Sequence, residues 1–374
     1  MEIGSALLDD WMREHLPDTS TDIGSSGVES YALGELRRLA GLDLASLDEV
    51  VFRHSPPAGR RDLRQAIADR WGTGDPDTVV ATHGASEASY AALVTVLNPG
   101  DHVVAADPAY HTLVSVPESL GCTIRPWRLP PGNGFRPDLD ELAAITAESE
   151  HPVAAIVANF PHNPSGATMT EDELDRLVGI ARRADAYLVW DASFAELVYG
   201  RPPLPDPVRR YPKALSIGTL SKSFGLPGLR FGWCMADPDL ITRITFLRDR
   251  MTISLSPLTE LFALHAVRSA DVLVGQRLSQ AAHNRQILAG WVRENDEYVD
   301  LPVLPQGGVT AFPALRGHPD TRDLCQGLSA EHQVLLVPGA AFGYPDRVRL
   351  GFGGPTGDFV RGLDLLAKAL RHAS

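Results

Sequence analysis

Short apolar runs alternate with helical patterns between about residues 79 and 236, and this alternation constrains the fold more than any other feature. The runs are almost continuously apolar and rich in β-branched residues, which is typical of strands covered on both faces of a parallel sheet. They lie at 79–82, 102–106, 123–127, 153–159, 186–190, 214–218 and 231–235. Strands that alternate with helices in this way predict an α/β fold with a large sheet flanked by helices.

One of the intervening segments carries a complete helix signal. Residues 170–173 read TEDE, a capping-box pattern in which the side chains of the first and last residues bond each other's backbone at a helix start. Apolar side chains then recur on one helical face, at Leu174, Leu177, Val178 and Ala181. The pattern predicts a helix that covers the sheet.

The pattern changes towards the carboxyl end and predicts a second, smaller α/β domain. The elements expected there are two long helical stretches at about 238–294, strands at 309–314, 334–337 and 347–352, and a final helix at about 356–371. A chain of 374 residues is long for one core. The predicted division is an N-terminal segment at 1–45 that packs with the small domain, a large domain at 46–250 and the small domain at 251–374.

Composition and charge narrow the functional classes. The net charge of −13 argues against nucleic-acid partners, which bind basic surfaces. No apolar run approaches the roughly 20 residues that span a bilayer, and the first residues are acidic where a signal peptide would be basic. The cysteines, Cys122, Cys234 and Cys325, show no disulfide pattern, and the histidines show no metal-ligand spacing. We expect a cytoplasmic protein with no metal and no membrane or nucleic-acid partner.

The strongest chemical signal lies at residues 219–230, which read TLSKSFGLPGLR. Lys222 follows a buried strand and precedes a glycine-rich turn, where a charged amine is costly unless it is neutralised or made covalent. A Schiff base with an aldehyde cofactor does this. The hydroxyls of Thr219 and Ser221 and the guanidinium of Arg230 suit a phosphate dianion. The alternative interpretation is a surface loop with an ordinary lysine.

Two turns upstream offer further contacts to such a cofactor. Residues 82–87 read THGASE and open an apolar helix, where backbone N–H groups bind phosphate and Gly84 lets the backbone approach closely. Most such turns are only helix starts. Tyr110, in the DPAY segment after the next strand, offers an aromatic face to a heteroaromatic ring. The alternative is a tyrosine of the core.

Two strand ends downstream carry polar side chains that suit the same cofactor. Residues 159–166 read NFPHNPSG and present Asn163 as an amide donor. Residues 190–194 read WDASF, in which Asp191 is either a helix N-cap or the buried partner of a protonated pyridine nitrogen. Such a partner makes pyridoxal 5'-phosphate (PLP) an electron sink.

Together these motifs resemble, in order and spacing, those of the class I and II aminotransferases over essentially the whole chain. The resemblance implies fold type I with a large, mixed, mostly parallel sheet, PLP held on Lys222, and a homodimer. It places around the phosphate Gly84, Ala85, Ser86, Thr219, Ser221 and Arg230. It implies that Tyr110 stacks on the ring, Asn163 bonds the phenolic oxygen and Asp191 holds the pyridine nitrogen. Arg349 would clamp the substrate α-carboxylate, with a surface ion pair as the alternative.

Two positions depart from the family pattern. Three residues after the aspartate, where aminotransferases usually carry a tyrosine, stands Phe194, which cannot hydrogen-bond the phenolic oxygen. Where a tyrosine of the partner subunit usually reaches the phosphate, residues 52–59 read FRHSPPAG. His54 is the candidate replacement there.

A closer resemblance is to the capreomycidine synthase family, which also carries phenylalanine at the position of Phe194. The similar blocks are TDIGSSGV at 21–28, Tyr31 with GELR at 34–37, THG at 82–84, NFPHNPSG at 159–166, GTLSK at 218–222, SLSPL at 254–258 and GGVTAFP at 307–313. In the first block, Ser26 and Gly27 are predicted substrate contacts. The resemblance implies β-elimination and intramolecular cyclisation of 3-hydroxyarginine during peptide-antibiotic biosynthesis.

The residues are consistent with that chemistry. Lys222 would remove the α-proton and later return a proton to Cα, while Asp191 supports the electron sink. A guanidine nitrogen would add at Cβ after the β-hydroxyl has left, so no keto acid is needed. The acid that protonates the departing hydroxyl is not identified, and His54 and His111 are the candidates. Glu29 is either a guanidinium contact or a solvated charge.

Relatives with this framework diverge in reaction, which leaves alternatives. They are an aminotransferase, a PLP-dependent oxidase of an arginine-like substrate, and a β-lyase or decarboxylating deaminase of an S-conjugated cysteine. Transcription regulators with an aminotransferase-like sensor domain form another class, and they need a basic DNA-binding module. The substrate-loop pattern begins by residue 21, so we expect no such module ahead of it.

Overall fold

The computed structural model describes residues 6–372. The strands are β1 (Thr21–Asp22), β2 (Val79–Thr82), β3 (His102–Asp107), β4 (Thr123–Arg128), β5 (Val153–Asn159), β6 (Tyr187–Asp191), β7 (Ala214–Thr219), β8 (Gly232–Met235), β9 (Val299–Asp300), β10 (Thr310–Ala311), β11 (Ala314–Leu315), β12 (Val334–Leu335), β13 (Val337–Pro338) and β14 (Val348–Gly351). The helices are α1 (Leu7–His15), α2 (Leu33–Leu39), α3 (Leu44–Asp48), α4 (Arg61–Arg70), α5 (Ala85–Val96), α6 (Thr112–Ser119), α7 (Leu139–Ala147), α8 (Glu171–Arg183), α9 (Pro238–Arg248), α10 (Pro257–Arg268), α11 (Ala270–Glu294), α12 (Arg322–His332) and α13 (Thr356–His372). Within residues 6–372, no helix is both long enough and apolar enough to cross a bilayer.

A seven-stranded sheet lies at the centre, in the strand order β2-β8-β7-β6-β5-β3-β4. β8 runs antiparallel to both neighbours, and the other neighbouring pairs are parallel. Successive side chains of a strand point to opposite faces. Val104 therefore packs with α7 and α8 on one face, and Val103 packs with α5 and α9 on the other. The expected fold, a mixed and mostly parallel sheet between helices, is confirmed.

The predicted strands of this sheet are all present within about one residue, but one of them lies in an unexpected environment. β4 was expected to be covered on both faces, and this is wrong. It is one of the two edge strands, and Trp127 is its one buried residue. Pro126 has no N–H to offer a further strand, which is common at sheet edges.

The helix predicted from its capping box is confirmed. Thr170 accepts from the Glu173 N–H at 3.2 Å, and the Glu173 carboxylate accepts from the Thr170 N–H at 2.7 Å. Its apolar face is buried against the sheet. The two stretches expected at about 238–294 are instead three helices. Ser256 caps the second by accepting from the Leu258 N–H at 3.3 Å, and Pro257 opens it, so a new helix begins there.

The carboxyl-terminal elements form a smaller core. β10, β14 and β13 make an antiparallel sheet in that order, with α13 packed against it. The strand expected at 334–337 is divided between two partners. β12 pairs with the N-terminal strand β1 in parallel, whereas β13 pairs with β14.

The N-terminal segment contacts both cores. Ile23 and Val28 belong to the smaller core, and Leu36 and Ala40 pack with α10 beneath the large sheet. The segment therefore crosses the face of the molecule between the two cores, next to the carboxyl ends of the parallel strands.

Candidate active site

A cavity of about 780 Å³ opens where β5, β6 and β7 end. In parallel sheets the carboxyl ends of strands meet at one edge, so side chains that are distant in sequence converge there. The cavity is lined by thirteen of the predicted site residues: Ser26, Gly27, Ala85, Ser86, Tyr110, Asn163, Asp191, Phe194, Thr219, Ser221, Lys222, Arg230 and Arg349. Gly84 completes the set as the N-cap of α5, beside Arg230.

Lys222 projects into the cavity just after β7. Its Nζ donates to Ser26 Oγ at 2.8 Å and lies 5.8 Å from the centre of the Phe194 ring. Burial lowers the pKa of Lys222 to about 8. The positive charges of Arg349 and Arg230 also lower this pKa, whereas the negative charges of Asp191 and Asp22 raise it. A larger fraction of this amine is therefore neutral near physiological pH than of an exposed lysine, and the neutral form is the one that acts as a nucleophile or base.

This pKa has a consequence for stability. A lysine whose pKa is about 8 when folded and near 10.5 when unfolded makes the unfolded state bind more protons between those values. We expect the free energy of unfolding of the cofactor-free protein to rise from pH 8 to pH 10, relative to a Lys222→Met variant. Urea denaturation at several pH values checks this, since other titrating groups cancel in the difference. Parallel pH dependences of the two proteins would contradict the assignment.

Asp191 is a buried carboxylate at the end of β6. Its Oδ1 accepts from the Ser193 N–H at 2.9 Å. Burial raises its pKa, although the Ser193 hydrogen bonds and the charge of Lys222 oppose the rise. Within residues 6–372, no cationic nitrogen lies within 4.0 Å of this carboxylate. It is a buried carboxyl group at the cavity wall, and a protonated ring nitrogen would supply the cationic partner that favours its ionised form.

Asn159, one strand away, holds the loops around this carboxylate. Its Nδ2 donates to the Asp191 carbonyl at 2.9 Å, and its Oδ1 accepts from the Asn163 N–H at 2.8 Å. β5 and β6 are in register at Asn159 and Asp191, which makes the first bond possible. Asn163 is thereby placed beside the cavity. Sequence reasoning did not single out Asn159, although the residue is the first of the NFPHNPSG segment.

The amino end of α5 forms an anion cradle. Gly84 has a φ of 83°, and a Cβ at this position would lie 2.7 Å from Arg230 Nη2. A Cβ on Gly232 would lie 2.6 Å from the Gly84 carbonyl carbon, so β8 also approaches closely. The first N–H groups of a helix lack intrahelical partners and attract phosphate. Thr219 Oγ1 and Ser221 Oγ, 3.0 Å apart, add hydroxyls to this cradle.

Arg349 is 2% exposed on β14 and reaches the cavity from the smaller core. Its Nε donates to the Gly24 carbonyl at 3.0 Å, and its Nη1 donates to Asn163 Oδ1 at 3.4 Å. Burial lowers the pKa of Arg349 to about 10, against the opposing charge of Asp22. No ion pair within 4.0 Å is formed by Arg349 in the described chain, so its predicted alternative, a surface ion pair, is wrong. A fixed, buried guanidinium of this kind suits a carboxylate ligand.

Tyr110 lies half-buried on the loop after β3. Burial, with Asp9 and Asp191 nearby, raises its pKa to about 12, so the phenol stays protonated. Its ring meets that of His111 edge-on at 4.5 Å between centroids. The tyrosine thus presents an aromatic surface to the cavity rather than a charge.

The two histidines considered as proton donors lie elsewhere. His54 lines a separate cavity with Ser55 and Arg60, and His111 Nε2 lies 3.1 Å from Asp9 Oδ2. Neither is among the residues that line the main cavity. Glu29 does line it, but its carboxylate accepts from Gln280 Nε2 at 2.8 Å and so is not simply a solvated charge.

Several cavity residues were not anticipated. Asp9 comes from α1, Asp22 from β1 and Asp358 from α13. Asp22 belongs to the TDIGSSGV block and was a detectable candidate. Asp9 and Asp358 sit in ordinary helical patterns and reach the cavity only through long-range packing.

These groups match the parts of PLP one by one. The cradle at α5 suits its phosphate, Asp191 its ring nitrogen, Tyr110 its ring face and Lys222 its aldehyde carbon. The space beside Lys222 and Arg349 remains for an amino acid. Fold and site together define a PLP-dependent enzyme of fold type I.

The chain belongs to the aminotransferase class I and II family, whose model matches residues 33–365. It is 45% identical to capreomycidine synthase of Streptomyces vinaceus over 98% of this chain and 94% of that protein. Its fold is similar to that of the PLP-dependent cyclase OrfR, with a TM-score of 0.93, 42% identity and coverage of 100% and 99% of the two chains. A PLP-dependent aminotransferase from Streptococcus suis superposes with a TM-score of 0.93 at 27% identity, over 100% and 99%.

Proposed function

We propose that this enzyme converts 3-hydroxyarginine into capreomycidine by β-elimination and intramolecular cyclisation, in the biosynthesis of a natural product. The observation that carries the proposal is the 45% identity to capreomycidine synthase over nearly the full length of both chains. The structural likeness to a PLP-dependent cyclase supports a lyase or cyclase over an aminotransferase.

The site residues are proposed to divide into three groups. The residues proposed to hold the phosphate are Gly84, Ala85, Ser86, Thr219, Ser221 and Arg230. Those proposed to surround the cofactor ring are Tyr110, Asn163, Asp191 and Phe194. Those proposed to contact the substrate are Arg349, Ser26 and Gly27. Asp191 and Lys222 are the catalytic residues. The bond from Lys222 Nζ to Ser26 Oγ, at 2.8 Å, suggests that Ser26 also orients the amine.

The proposed reaction gives these residues distinct roles. When bound, PLP supplies an electron sink for the negative charge that develops at Cα. Arg349 holds the substrate carboxylate, and Lys222 removes the α-proton and later returns a proton to the same carbon. The β-hydroxyl leaves with a proton as water, and a guanidine nitrogen forms the new bond to Cβ. Substrate and product differ by one water, so neither a keto acid nor an oxidant is consumed.

The charge of the cavity wall supports a cationic side chain on the substrate. Asp9, Asp22, Glu29 and Asp358 line the same cavity as Arg349. Arg349 is proposed to face the substrate carboxylate, and Arg230 is proposed to face the cofactor phosphate. Glu29 and Asp358 each already lie within 4.0 Å of an arginine. Asp9 and Asp22, which have no arginine or lysine within that distance among residues 6–372, are therefore the groups proposed to attract a guanidinium.

Phe194 supports a reaction other than transamination. It is buried, and its ring lies close to the amine of Lys222. A tyrosine there would bond the phenolic oxygen and help to tune the proton balance that transamination needs. Phe194 leaves an apolar edge instead, which favours proton return at Cα.

We also propose a cytoplasmic homodimer with active sites at the subunit interface. Phe52, which opens the 52–59 segment that by family resemblance reaches the phosphate of the partner subunit, is 77% exposed, and Val51 just before it is 67% exposed. Apolar side chains of this size favour a covered surface. Cys122, Cys234 and Cys325 are free thiols, which suits a reducing compartment.

The domain division stays a proposal. It gives an N-terminal segment at 1–45, a large PLP-binding domain at 46–250 and a small domain at 251–374. The pairing of β1 with β12 supports the attachment of the N-terminal segment to the small domain. The packing of Leu36 and Ala40 with α10 ties the end of that segment to the core beneath the large sheet.

A reaction without a keto acid is the decisive test of the proposed function. We expect purified holoenzyme to consume 3-hydroxyarginine in the absence of α-ketoglutarate, to release a product lighter by one water, and to take up no oxygen. Product mass, dissolved oxygen and pyridoxamine phosphate are measured on one sample. Stoichiometric pyridoxamine phosphate would favour an aminotransferase, and matching oxygen uptake would favour an oxidase. Turnover of an S-conjugated cysteine but not of 3-hydroxyarginine would favour the β-lyase or deaminase.

A further inference from the structure

A carboxylate sits in the first turn of α5, where the phosphate is proposed to bind. This residue is Glu87, and its negative charge would repel a phosphate dianion at the same helix end. The side chain turns back along the helix start. Its Oε2 accepts from the His83 N–H at 2.5 Å and lies 3.0 Å from His83 Nδ1. Glu87 thus holds the residue just before Gly84.

Arg248, at the end of α9, is the counter-charge of Glu87. It is fully buried, with 0% of its surface exposed, and its Nε donates to Glu87 Oε1 at 3.2 Å. Within residues 6–372, no other acidic side chain lies within 4.0 Å of its guanidinium. Although burial alone would raise the pKa of Glu87, the bonds from His83 and Thr252 and the charge of Arg248 lower it. Glu87 is therefore ionised and paired.

The guanidinium also joins two loops to this pair. Arg248 Nη1 donates to the Pro57 carbonyl at 2.6 Å, and the next residue, Ala58, accepts from the Ala81 N–H at 2.9 Å. On the other side, Thr252 Oγ1 donates to Glu87 Oε1 at 2.5 Å. In the loop after α9, Ile253 has a φ of 58°, in the left-handed region that β-branched residues rarely adopt.

We propose that Arg248 is a positioning residue for the phosphate of the cofactor. It neutralises Glu87 and, through Glu87, fixes the backbone from His83 to Gly84, so that the first N–H groups of α5 point at the phosphate. This inference rests on the proposed phosphate site, but not on the identity of the amino-acid substrate. Arg248 itself lies outside the cavity lining.

The test compares two forms of the cofactor that differ by the phosphate alone. The full-length chain is stripped of cofactor and titrated with PLP and with pyridoxal, and binding is followed by absorbance. We expect Arg248→Met to weaken PLP binding by at least about tenfold, because a carboxylate without its counter-charge then faces the phosphate. Pyridoxal affinity is expected to change by less than about twofold. A general loss of structure would weaken both ligands alike and would overturn the proposal, as would unchanged PLP affinity.

Two further variants keep the test decisive. Arg250→Met is the matched control, because Arg250 is exposed and its side chain, among residues 6–372, donates only to the Phe246 carbonyl, at 2.5 Å. We expect it to leave both affinities unchanged. The double variant Glu87→Gln with Arg248→Met removes both charges and keeps an acceptor for the His83 N–H. It is expected to recover most of the preference for PLP over pyridoxal, and a double variant as poor in PLP binding as Arg248→Met would overturn the neutralising role. If Arg248→Met does not fold, Arg248→Gln, which keeps a donor for the Pro57 carbonyl, replaces it with the same expected loss of PLP affinity.

An Arg230→Ala variant separates this proposal from the proposed phosphate site. Arg230 lies directly over Gly84, so its loss is expected to lower the preference for PLP over pyridoxal. If Arg230→Ala lowers the preference and Arg248→Met does not, the phosphate site stands and the role of Arg248 fails. If neither variant lowers it, the phosphate site itself is wrong.

Discussion

Lys222→Ala is expected to abolish covalent attachment of PLP and to lower turnover of 3-hydroxyarginine at least about 10³-fold, the scale typical of a lost proton-transfer group. The physical reason is that the amine is both the anchor of the cofactor and the carrier of the α-proton. Borohydride reduction of the PLP-loaded protein, followed by peptide mass analysis, measures the attachment directly. Wild-type protein should carry the label on the peptide with Lys222, and the variant should carry none.

The matched control for this experiment is Lys213→Ala. Lys213 is partly exposed, lies 2.6 Å from Asp185 Oδ1 and is remote from the cavity lining. Its removal is expected to leave both the label and the turnover unchanged. The sequence holds only Lys213, Lys222 and Lys368, so the labelled position is unambiguous. Label on Lys213 or Lys368 in the wild-type protein would refute the assignment of Lys222.

Arg349→Ala is expected to weaken binding of 3-hydroxyarginine by roughly 30- to 1000-fold while PLP stays bound. The loss of one partner from a buried, charge-assisted pair costs about 2–4 kcal/mol, which corresponds to this range. Substrate titration of the PLP-loaded protein, followed by the absorbance of the cofactor, measures the effect. The Arg349→Lys variant keeps the charge without the planar fork, so a partial recovery is expected.

Two comparisons show whether the arginine acts on the substrate carboxylate. Arg347→Ala removes another buried arginine, whose Nη1 donates to the Phe312 carbonyl at 2.8 Å outside the cavity lining. It is expected to lower stability but not substrate affinity. The decarboxylated analogue of the substrate should bind Arg349→Ala and wild-type protein equally. An equal loss of affinity for substrate and analogue would contradict a carboxylate contact.

The strands and the residues at their ends could be predicted because the signals are local. A buried parallel strand is a short apolar run, and its carboxyl end must reach the common edge of the sheet. Asn163, Asp191 and Lys222 each follow such a run by a few residues. Their convergence was therefore predictable without any knowledge of long-range contacts.

The surroundings of those residues were not predictable in the same way. An apolar pattern predicts that a segment forms a strand, but it does not show whether the strand lies inside the sheet or at its edge. The burial predicted for β4 is wrong for this reason. Asp9 looks like any acidic residue near a helix start. Only the packing of α1 brings it to the cavity.

The sequence by itself determined the fold class, the cofactor and the residues proposed to hold it. It could do so because strand ends, glycine turns and family motifs each consist of residues that are adjacent in the sequence. Tertiary structure alone decided which distant groups share a hydrogen bond or a charge. The Lys222 amine meets Ser26, which is 196 residues away, and Arg349 meets the Gly24 carbonyl 325 residues away. Arg248 meets Glu87 across 161 residues. Such pairings depend on how two cores and their loops close on each other, and local patterns do not encode that geometry.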